Sequence, residues 1–515
     1  MTETTRHTIG RFLLDRAVQH PERIAIDDRG VATDYRTLAV RADALAQGLR
    51  DAGYGPGHRI ATVSASSTDQ VIAFFACALA GVAFVPLSWR LTASELSALV
   101  QRAAPELILV DEQHSTLAME ATRIAGSAAP QQTLGTSGIE AHVPAARQPV
   151  TARPVRDSDP LLVIFTSGSA AEPKGVVLTH ENCFWNNLAL QQALPLTADD
   201  VVLAILPQFH VAAWNVQPLL AWWAGATVVL ESSFEPSRAL RLIGERGVTT
   251  MMGVPTQYRM LADDASWPQA RLETLRLVVV GGAPLTEDVA DAWAARGIRL
   301  TAGYGLTEAG PNVLHVPAGL ADAGPGTVGR PYPHVEVMIA DPDTGLALEG
   351  ESTGELWVRG PSVFAGYLDD PVATADAMHG EWLRTGDLAH RDADGDYAIV
   401  GRLKEIYISG GENVAPAEVE AALALHPLVA EVAVVGAPDP VWGERGVAFV
   451  VPRGGAALSA DELRAHARSR LAGFKVPGHI EIVAALPTAG PHKVARAQLR
   501  ERAARMMEEA SHDYR

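Results

Sequence analysis

Short apolar runs of the kind that form buried strands alternate, through the first part of the chain, with stretches whose apolar positions recur at helical spacing. Residues 59–64, 106–110, 161–165, 201–206, 227–230 and 277–280 read as strands, and residues 69–80 and 287–295 as helices. The alternation predicts an α/β fold with layered, largely parallel sheets. Residues 71–87 are wholly apolar but shorter than a bilayer span, and Gly81 and Pro86 interrupt them. They read as a buried helix closing near Gly81 followed by a strand at 82–85. After about Pro325 the pattern changes to short alternating strands at 335–339, 355–359 and 397–400, a β-rich subdomain ending near Gly401. From Lys404 a compact α+β unit begins, with helices expected at 416–425, 461–471 and 496–507 and strands at 430–435 and 480–483. Residues 115–156, rich in Ala, Pro, Gln and Ser, are expected to be surface loops or poorly defined short elements.

Composition narrows the function classes. With 48% hydrophobic and 20% charged residues, the chain can bury a large core and is not disordered overall. Asp and Glu outnumber Lys and Arg by 60 to 42, a net charge of -18, which argues against nonspecific binding to nucleic acid or anionic membrane. The two cysteines, Cys77 and Cys183, lie in apolar runs and form no metal-type cluster, as suits buried thiols in a reducing cytoplasm. The polar N-terminus lacks a charged stub leading into a long apolar core, so no secretory signal is expected.

Candidate chemistry sits in loops. Thr166-Ser-Gly-Ser-Ala-Ala-Glu-Pro-Lys-Gly175 follows a strand and precedes a helix whose start is marked by Thr179. Such a loop offers backbone N–H groups and a lysine to an anion, although the spacing is not that of a Walker loop. Tyr304-Gly-Leu-Thr-Glu308 follows a strand-like stretch at 298–301. Thr385-Gly-Asp387 lies in the β-rich part. Gly401-Arg-Leu-Lys-Glu405 sits at the change of composition, Ser409-Gly-Gly-Glu-Asn-Val414 follows it, and Pro487 and Lys493 precede the last helix.

In this order, these segments resemble the adenylate-forming superfamily of acyl-CoA synthetases, peptide-synthetase adenylation domains and luciferases, over nearly the whole chain. The resemblance implies a large N-terminal domain, residues 1–403, and a small mobile C-terminal domain, residues 404–515, hinged at Lys404. It implies a two-step reaction. A carboxylate attacks the α-phosphate of Mg-ATP to give acyl-AMP, and the thiol of CoA, a co-substrate, then displaces AMP after the small domain rotates. By position in the motifs, Thr166, Ser167, Gly168, Ser169 and Lys174 belong to the phosphate loop. Tyr304 would stack on adenine, with Gly281, Gly282 and Ala283 lining that pocket. Thr307 would bind the α-phosphate and Glu308 would hold Mg2+. Asp387, aided by Arg402, would take the ribose hydroxyls, and Lys493 would offset charge during adenylation. Gly410 and Gly411 would line the pantetheine tunnel. Pro207-Gln-Phe-His-Val211 matches the acid-pocket segment, to which Trp214, Asn215, Gly303 and Gly305 also belong; Trp222 and Trp223 read as core. His210 stands where amino-acid-activating members carry an aspartate, which implies a non-amino acid, and the alternative for His210 is a packed structural histidine.

Two departures stand out. The superfamily's T-S-G-[ST]-[TS]-G-x-P-K-G has Ala170 and Ala171 here in place of a hydroxyl residue and a glycine, and His492 replaces a glycine before Lys493. A lost hydrogen bond to phosphate is worth about 1.5–3 kcal/mol. A left-handed alanine adds about 1–2 kcal/mol. Together these amount to roughly a hundredfold to a few-thousandfold. One reading is therefore a ligase impaired in adenylation that receives preformed acyl-AMP from a separate adenylating enzyme. A complete ATP-dependent ligase that tolerates both alanines, a carrier-protein acylating enzyme and a non-catalytic acyl-AMP binder are the alternatives.

Overall fold

The computed structural model describes residues 7–134, 143–151, 153–166, 173–317, 326–409, 412–439, 442–471, 473–488 and 494–512. Packing divides the chain into two units, residues 1–337 with 357–384 and residues 338–356 with 385–515. The boundary expected at 403/404 falls within the second of these sets of residues.

The first unit holds two sheets. One runs Gly366–Tyr367, Lys174–Thr179, Pro160–Thr166, Ala83–Leu87, Arg59–Val63, Leu107–Val110, Gln131–Thr133; its members from Pro160–Thr166 onward are parallel. The other includes, in order, Leu314–His315, Leu300–Tyr304, Leu277–Val280, Thr250–Gly253, Val201–Ala204, Thr227–Leu230 and Ile24–Asp28, parallel from Leu300–Tyr304 to Ile24–Asp28. The apolar stretch at 71–87 is the helix Thr68–Ala80 and the strand Ala83–Leu87. Ser67 Oγ caps the helix by accepting from Gln70 N–H, and Gly81 ends it at φ 75°, a left-handed turn that glycine adopts without strain. No helix among the described residues is long and apolar enough to cross a membrane.

Two expectations are corrected here. Residues 115–156 include a well-formed helix, Ser115–Ile124, and a short strand, Gln131–Thr133, rather than only loops and poorly defined elements. The buried face of that helix is Ala118, Ala121 and Thr122, residues too small to give a strong apolar stripe. The phosphate loop does not lead from strand into helix. Pro160–Thr166 and Lys174–Thr179 form an antiparallel hairpin, and the helix His180–Ala193 starts only after it, capped by Thr179. Thr166 and Lys174, the described residues that flank the loop, are register partners in that hairpin.

In the second unit, Gly443–Pro452 lies between Tyr407–Ser409 and Val429–Asp439, and His479–Ile482 joins it in parallel. Helices Pro416–Ala424 and Ala460–Arg468 pack with a core that includes Val419, Leu463 and Ile480. Arg496–His512 packs with a second core that includes Phe449, Leu499 and Ala503.

Candidate active site

In the first unit, adjacent parallel strands bring the expected adenine-side residues together. Val280 pairs with Ala302, so Gly281–Ala283 emerge beside Gly303–Gly305. A Cβ on Gly281 would stand 3.3 Å from the Gly303 carbonyl oxygen, and one on Gly305 would overlap the carbonyl of Pro311. Gly305 therefore requires glycine for close backbone approach, while a side chain at Gly281 would make a tight contact that needs a small shift of the neighbouring strand. Tyr304, half-buried, pairs with Leu314, and its carbonyl accepts from Val313 N–H at 3.1 Å.

Thr307–Ala309 forms a single 3₁₀ turn whose backbone is braced twice. Phe364 N–H donates to the Glu308 carbonyl at 2.8 Å, and Asn215 Nδ2 donates to the Gly310 carbonyl at 2.7 Å. Asn215 is 1% exposed, and its own carbonyl accepts from Asn186 Nδ2 (2.6 Å) and Asn312 Nδ2 (3.1 Å). Trp214 is fully buried, stacked on Phe74, with Nε1 donating to the Gln208 carbonyl at 2.7 Å. Trp222 is buried as expected for core, while Trp223 is only half-buried, stacked on Phe12.

The Glu308 carboxylate accepts through Oε1 from the Tyr367 hydroxyl at 2.9 Å. Burial, then the nearby carboxylate, raises the Tyr367 phenol above its ordinary value, so it remains a donor. Lys174 Nζ sits 4.7 Å from the Tyr367 ring centroid. Thr166 and Lys174 are register partners that close the base of the phosphate loop. Ser167, Gly168, Ser169, Ala170 and Ala171 lie outside the described residues. No group of three or more His, Cys, Asp and Glu side chains among the described residues could hold a metal. A single carboxylate suits Mg2+, which keeps waters and takes substrate phosphate oxygens rather than a protein cage. Glu308, an oxygen donor fixed at one atom, fits that role.

His210 is exposed, and its ring lies 4.6 Å from that of Phe209. Desolvation by its neighbours, then the Arg90 guanidinium, shifts its pKa downward, which favours the neutral imidazole. Arg90 lies over the rings of Trp89 (5.0 Å) and Phe209 (5.8 Å).

In the second unit, Asp387 and Arg402 are register partners in a hairpin. Arg402 Nε donates to Asp387 Oδ1 at 2.9 Å, with Asp387 4% exposed. The turn before Asp387 is fixed by Gly386 N–H donating to Glu355 Oε1 (3.1 Å) and Thr385 Oγ1 donating to the Leu356 carbonyl (2.6 Å). Lys404 lies in the 3₁₀ turn Leu403–Glu405. Gly410 and Gly411 fall outside the described residues, between paired strands in which Ser409 opposes Glu412. His492 and Lys493 also fall outside them. Just beyond, Arg496 is anchored by donating to Glu420 at 2.8 and 2.9 Å and to the Val434 carbonyl at 2.8 Å. Sequence reasoning missed Tyr367 and the Asn186–Asn215–Asn312 brace. The Gly-Tyr of a two-residue strand and scattered asparagines carry no spacing signal of their own.

The fold and these loops define an adenylate-forming enzyme. A model of AMP-binding enzymes matches residues 13–368, and one of the AMP-binding enzyme C-terminal domain matches residues 418–493. The chain belongs to the AMP-binding enzyme family. It is an acid–thiol ligase of the acyl-CoA synthetase type, with CoA as co-substrate and acyl-AMP formed from ATP with Mg2+. It is 39% identical over 495 residues to feruloyl-CoA synthases of Amycolatopsis sp. and Streptomyces sp., covering 96% of this chain and 99% of each relative. It is 34% identical to the indoleacetate–CoA ligase of Aromatoleum aromaticum, covering 95% of both chains. Among solved structures, ATP-bound MatB from Rhodopseudomonas palustris superposes with a TM-score of 0.88 at 30% identity, over 98% of this chain and 100% of that one.

Proposed function

We propose that this protein joins a non-amino aromatic carboxylic acid, of the arylpropenoic or arylacetic class, to CoA, and that its adenylation half runs slower than its thioester half. The surroundings of His210 carry the acid class. A neutral imidazole beside Phe209, Trp89 and Arg90 offers no carboxylate for an α-ammonium, and it offers flat apolar faces for an aromatic ring. Relatives named for ferulate and indoleacetate support the same class.

In this reading Tyr304 with Gly281, Gly282 and Ala283 holds adenine, Asp387 with Arg402 holds ribose, and Thr307 and Lys493 serve the α-phosphate. Gly303 and Gly305 border the acid, Gly410 and Gly411 line the thiol's approach, and Lys404 is the hinge. Ala170 and Ala171 weaken only the loop for the departing pyrophosphate, so the protein also accepts acyl-AMP made by a separate enzyme. The buried free thiols Cys77 and Cys183 are compatible with a reducing cytoplasm. A complete ATP-dependent ligase is the second reading, favoured by the bracing of Glu308, which serves adenylation alone.

The test supplies ferulate, indoleacetate and aliphatic controls in two forms: free acid with Mg-ATP and CoA, and synthetic acyl-AMP with CoA. Acyl-CoA is read by mass spectrometry. The proposal expects aromatic acids to lead, and the acyl-AMP form to react at least tenfold faster. Equal rates from both forms establish the complete ligase. Preference for aliphatic acids rejects the acid class.

A further inference from the structure

Residues 365–368 are stitched to the strand that closes the phosphate loop. Ala365 N–H donates to the Val177 carbonyl (3.0 Å), Leu368 N–H donates to the Gly175 carbonyl (2.7 Å), and Tyr367 opposes Val176. Tyr367 N–H donates to Thr374 Oγ1 at 2.9 Å, and its ring meets Phe364 edge-on at 5.0 Å. The side chain is therefore held from several sides. Its hydroxyl reaches Glu308 Oε1 at 2.9 Å, while its face carries the Lys174 ammonium at 4.7 Å. Lys174 and Glu308 form no ion pair with each other, although each lies within reach of the same ring. Opposite charges this close attract strongly in a half-buried site, and direct pairing would spend the lysine that meets phosphate on the carboxylate that meets metal.

We propose that Tyr367 is a positioning residue that keeps these two charges apart. Its hydroxyl occupies one Glu308 oxygen and aims the other at the cation, and its ring holds Lys174 ready for phosphate. This rests on the assignments of Glu308 and Lys174 made above. It also explains how one carboxylate can serve the metal: the second oxygen is oriented by a neutral donor that does not compete for phosphate.

The readout is equilibrium binding rather than turnover. Free Mn2+, a paramagnetic substitute for Mg2+, is followed by electron paramagnetic resonance with a non-hydrolysable ATP analogue present, and metal-free AMP binding is measured by calorimetry. Tyr367→Phe keeps the ring and removes the hydroxyl, so it preserves packing. It is expected to weaken Mn2+–nucleotide binding roughly tenfold, about 1.4 kcal/mol, and to move metal-free AMP affinity less than twofold. Tyr367→Leu is expected to weaken analogue binding further, and its crystal structure to show Lys174 Nζ within salt-bridge distance of Glu308. Unchanged Mn2+ binding in Tyr367→Phe overturns the proposal, as does an equal loss of AMP binding, which marks a merely structural role. Glu308→Gln separates the two layers. If it too leaves Mn2+ binding unchanged, the metal assignment of Glu308 is wrong; if it alone weakens binding, only the role of Tyr367 is. Absence of any Mn2+ site in the native protein also counts against the proposal.

Discussion

Asn215→Ala probes how the core supports the nucleotide turn. The change removes the amide that donates to the Gly310 carbonyl at 2.7 Å, at a position 1% exposed. A buried carbonyl left without a donor costs about 1–3 kcal/mol. Part of this is returned, because Asn215 Oδ1 has no partner and its own burial penalty disappears with it. The net loss of stability should be about 1–2 kcal/mol. Gly310 lies two residues beyond Glu308, so slack there should also lower AMP affinity, by roughly threefold to tenfold, about 0.7–1.4 kcal/mol. Asn215→Asp sharpens the test. Ionised, it sets a carboxylate oxygen against a carbonyl with no water between them. Protonated, it donates again, and burial raises its pKa. Its defect should therefore shrink as pH falls from 8 to 5, whereas that of Asn215→Ala should not. Urea unfolding followed by tryptophan fluorescence gives the stability, and calorimetry gives the AMP affinity. An Ala variant with unchanged urea midpoint and AMP affinity, or an Asp variant whose defect ignores pH, would refute the brace.

Asp387→Ala should lower AMP affinity at least tenfold, since charged hydrogen bonds contribute about 1.5–3 kcal/mol each, and should slow both half-reactions; full activity would reject the ribose assignment. Restoring the loop with Ala170→Thr and Ala171→Gly should raise ATP-dependent thioester formation on the order of tenfold or more while leaving the rate from synthetic acyl-AMP unchanged. No gain would move the defect to His492 and Lys493, or to the choice of acid. His180 is fully buried, its Nδ1 accepts from Ile9 N–H at 3.1 Å, and burial pushes its pKa down to about 4. The unfolded chain binds that proton near pH 6.5 and the folded one only near pH 4. The stabilisation from neutral His180 is thus complete above about pH 6.5 and declines as pH falls toward 4, at up to about 1.4 kcal/mol per pH unit. In His180→Asn the urea midpoint should depend less on pH across that window; an identical slope would place the acid sensitivity elsewhere.

Much of this was legible in the sequence where local chemistry and burial agree. Ser67 and Gly81 bracket an apolar run of helical length, and the helix Thr68–Ala80 appears between them. Thr227–Leu230 and Leu277–Val280 are apolar on every residue or nearly so because parallel strands are covered on both faces. The failures have equally local causes. Lys174–Thr179 runs straight into the helix cap at Thr179, so it read as a lead-in rather than a strand. The helix Ser115–Ile124 buries Ala and Thr where a recognisable stripe needs Leu or Ile. Gly443–Pro452 begins with Gly-Glu-Arg-Gly, which hides the apolar second half of a strand paired on both sides. Tyr367 and Asn215 matter through contacts with residues far away in sequence, Glu308 and Gly310, and no local spacing encodes those.

Under the proposed assignments the two half-reactions are separately addressable. Glu308, Lys174 and Tyr367 are linked to one another within the first unit, and each is assigned to ATP rather than to thiol. Asp387 and Arg402 form their own pair, assigned to ribose, which stays bound through both steps. Gly410 and Gly411 are assigned to the thiol alone. Substitutions in the first set should therefore depress only the route from free acid, those in the second both routes, and those in the third only the step with CoA. If the native protein already behaves like a first-set variant, making thioester from acyl-AMP but barely from acid, the loop at Ala170 and Ala171 is where ATP use is limited. If changing Tyr367 or Glu308 then lowers the residual acid-dependent rate further, the limitation is partial and the metal site still works. If it does not, ATP use has been lost upstream of the metal, and the protein depends on an adenylate made elsewhere.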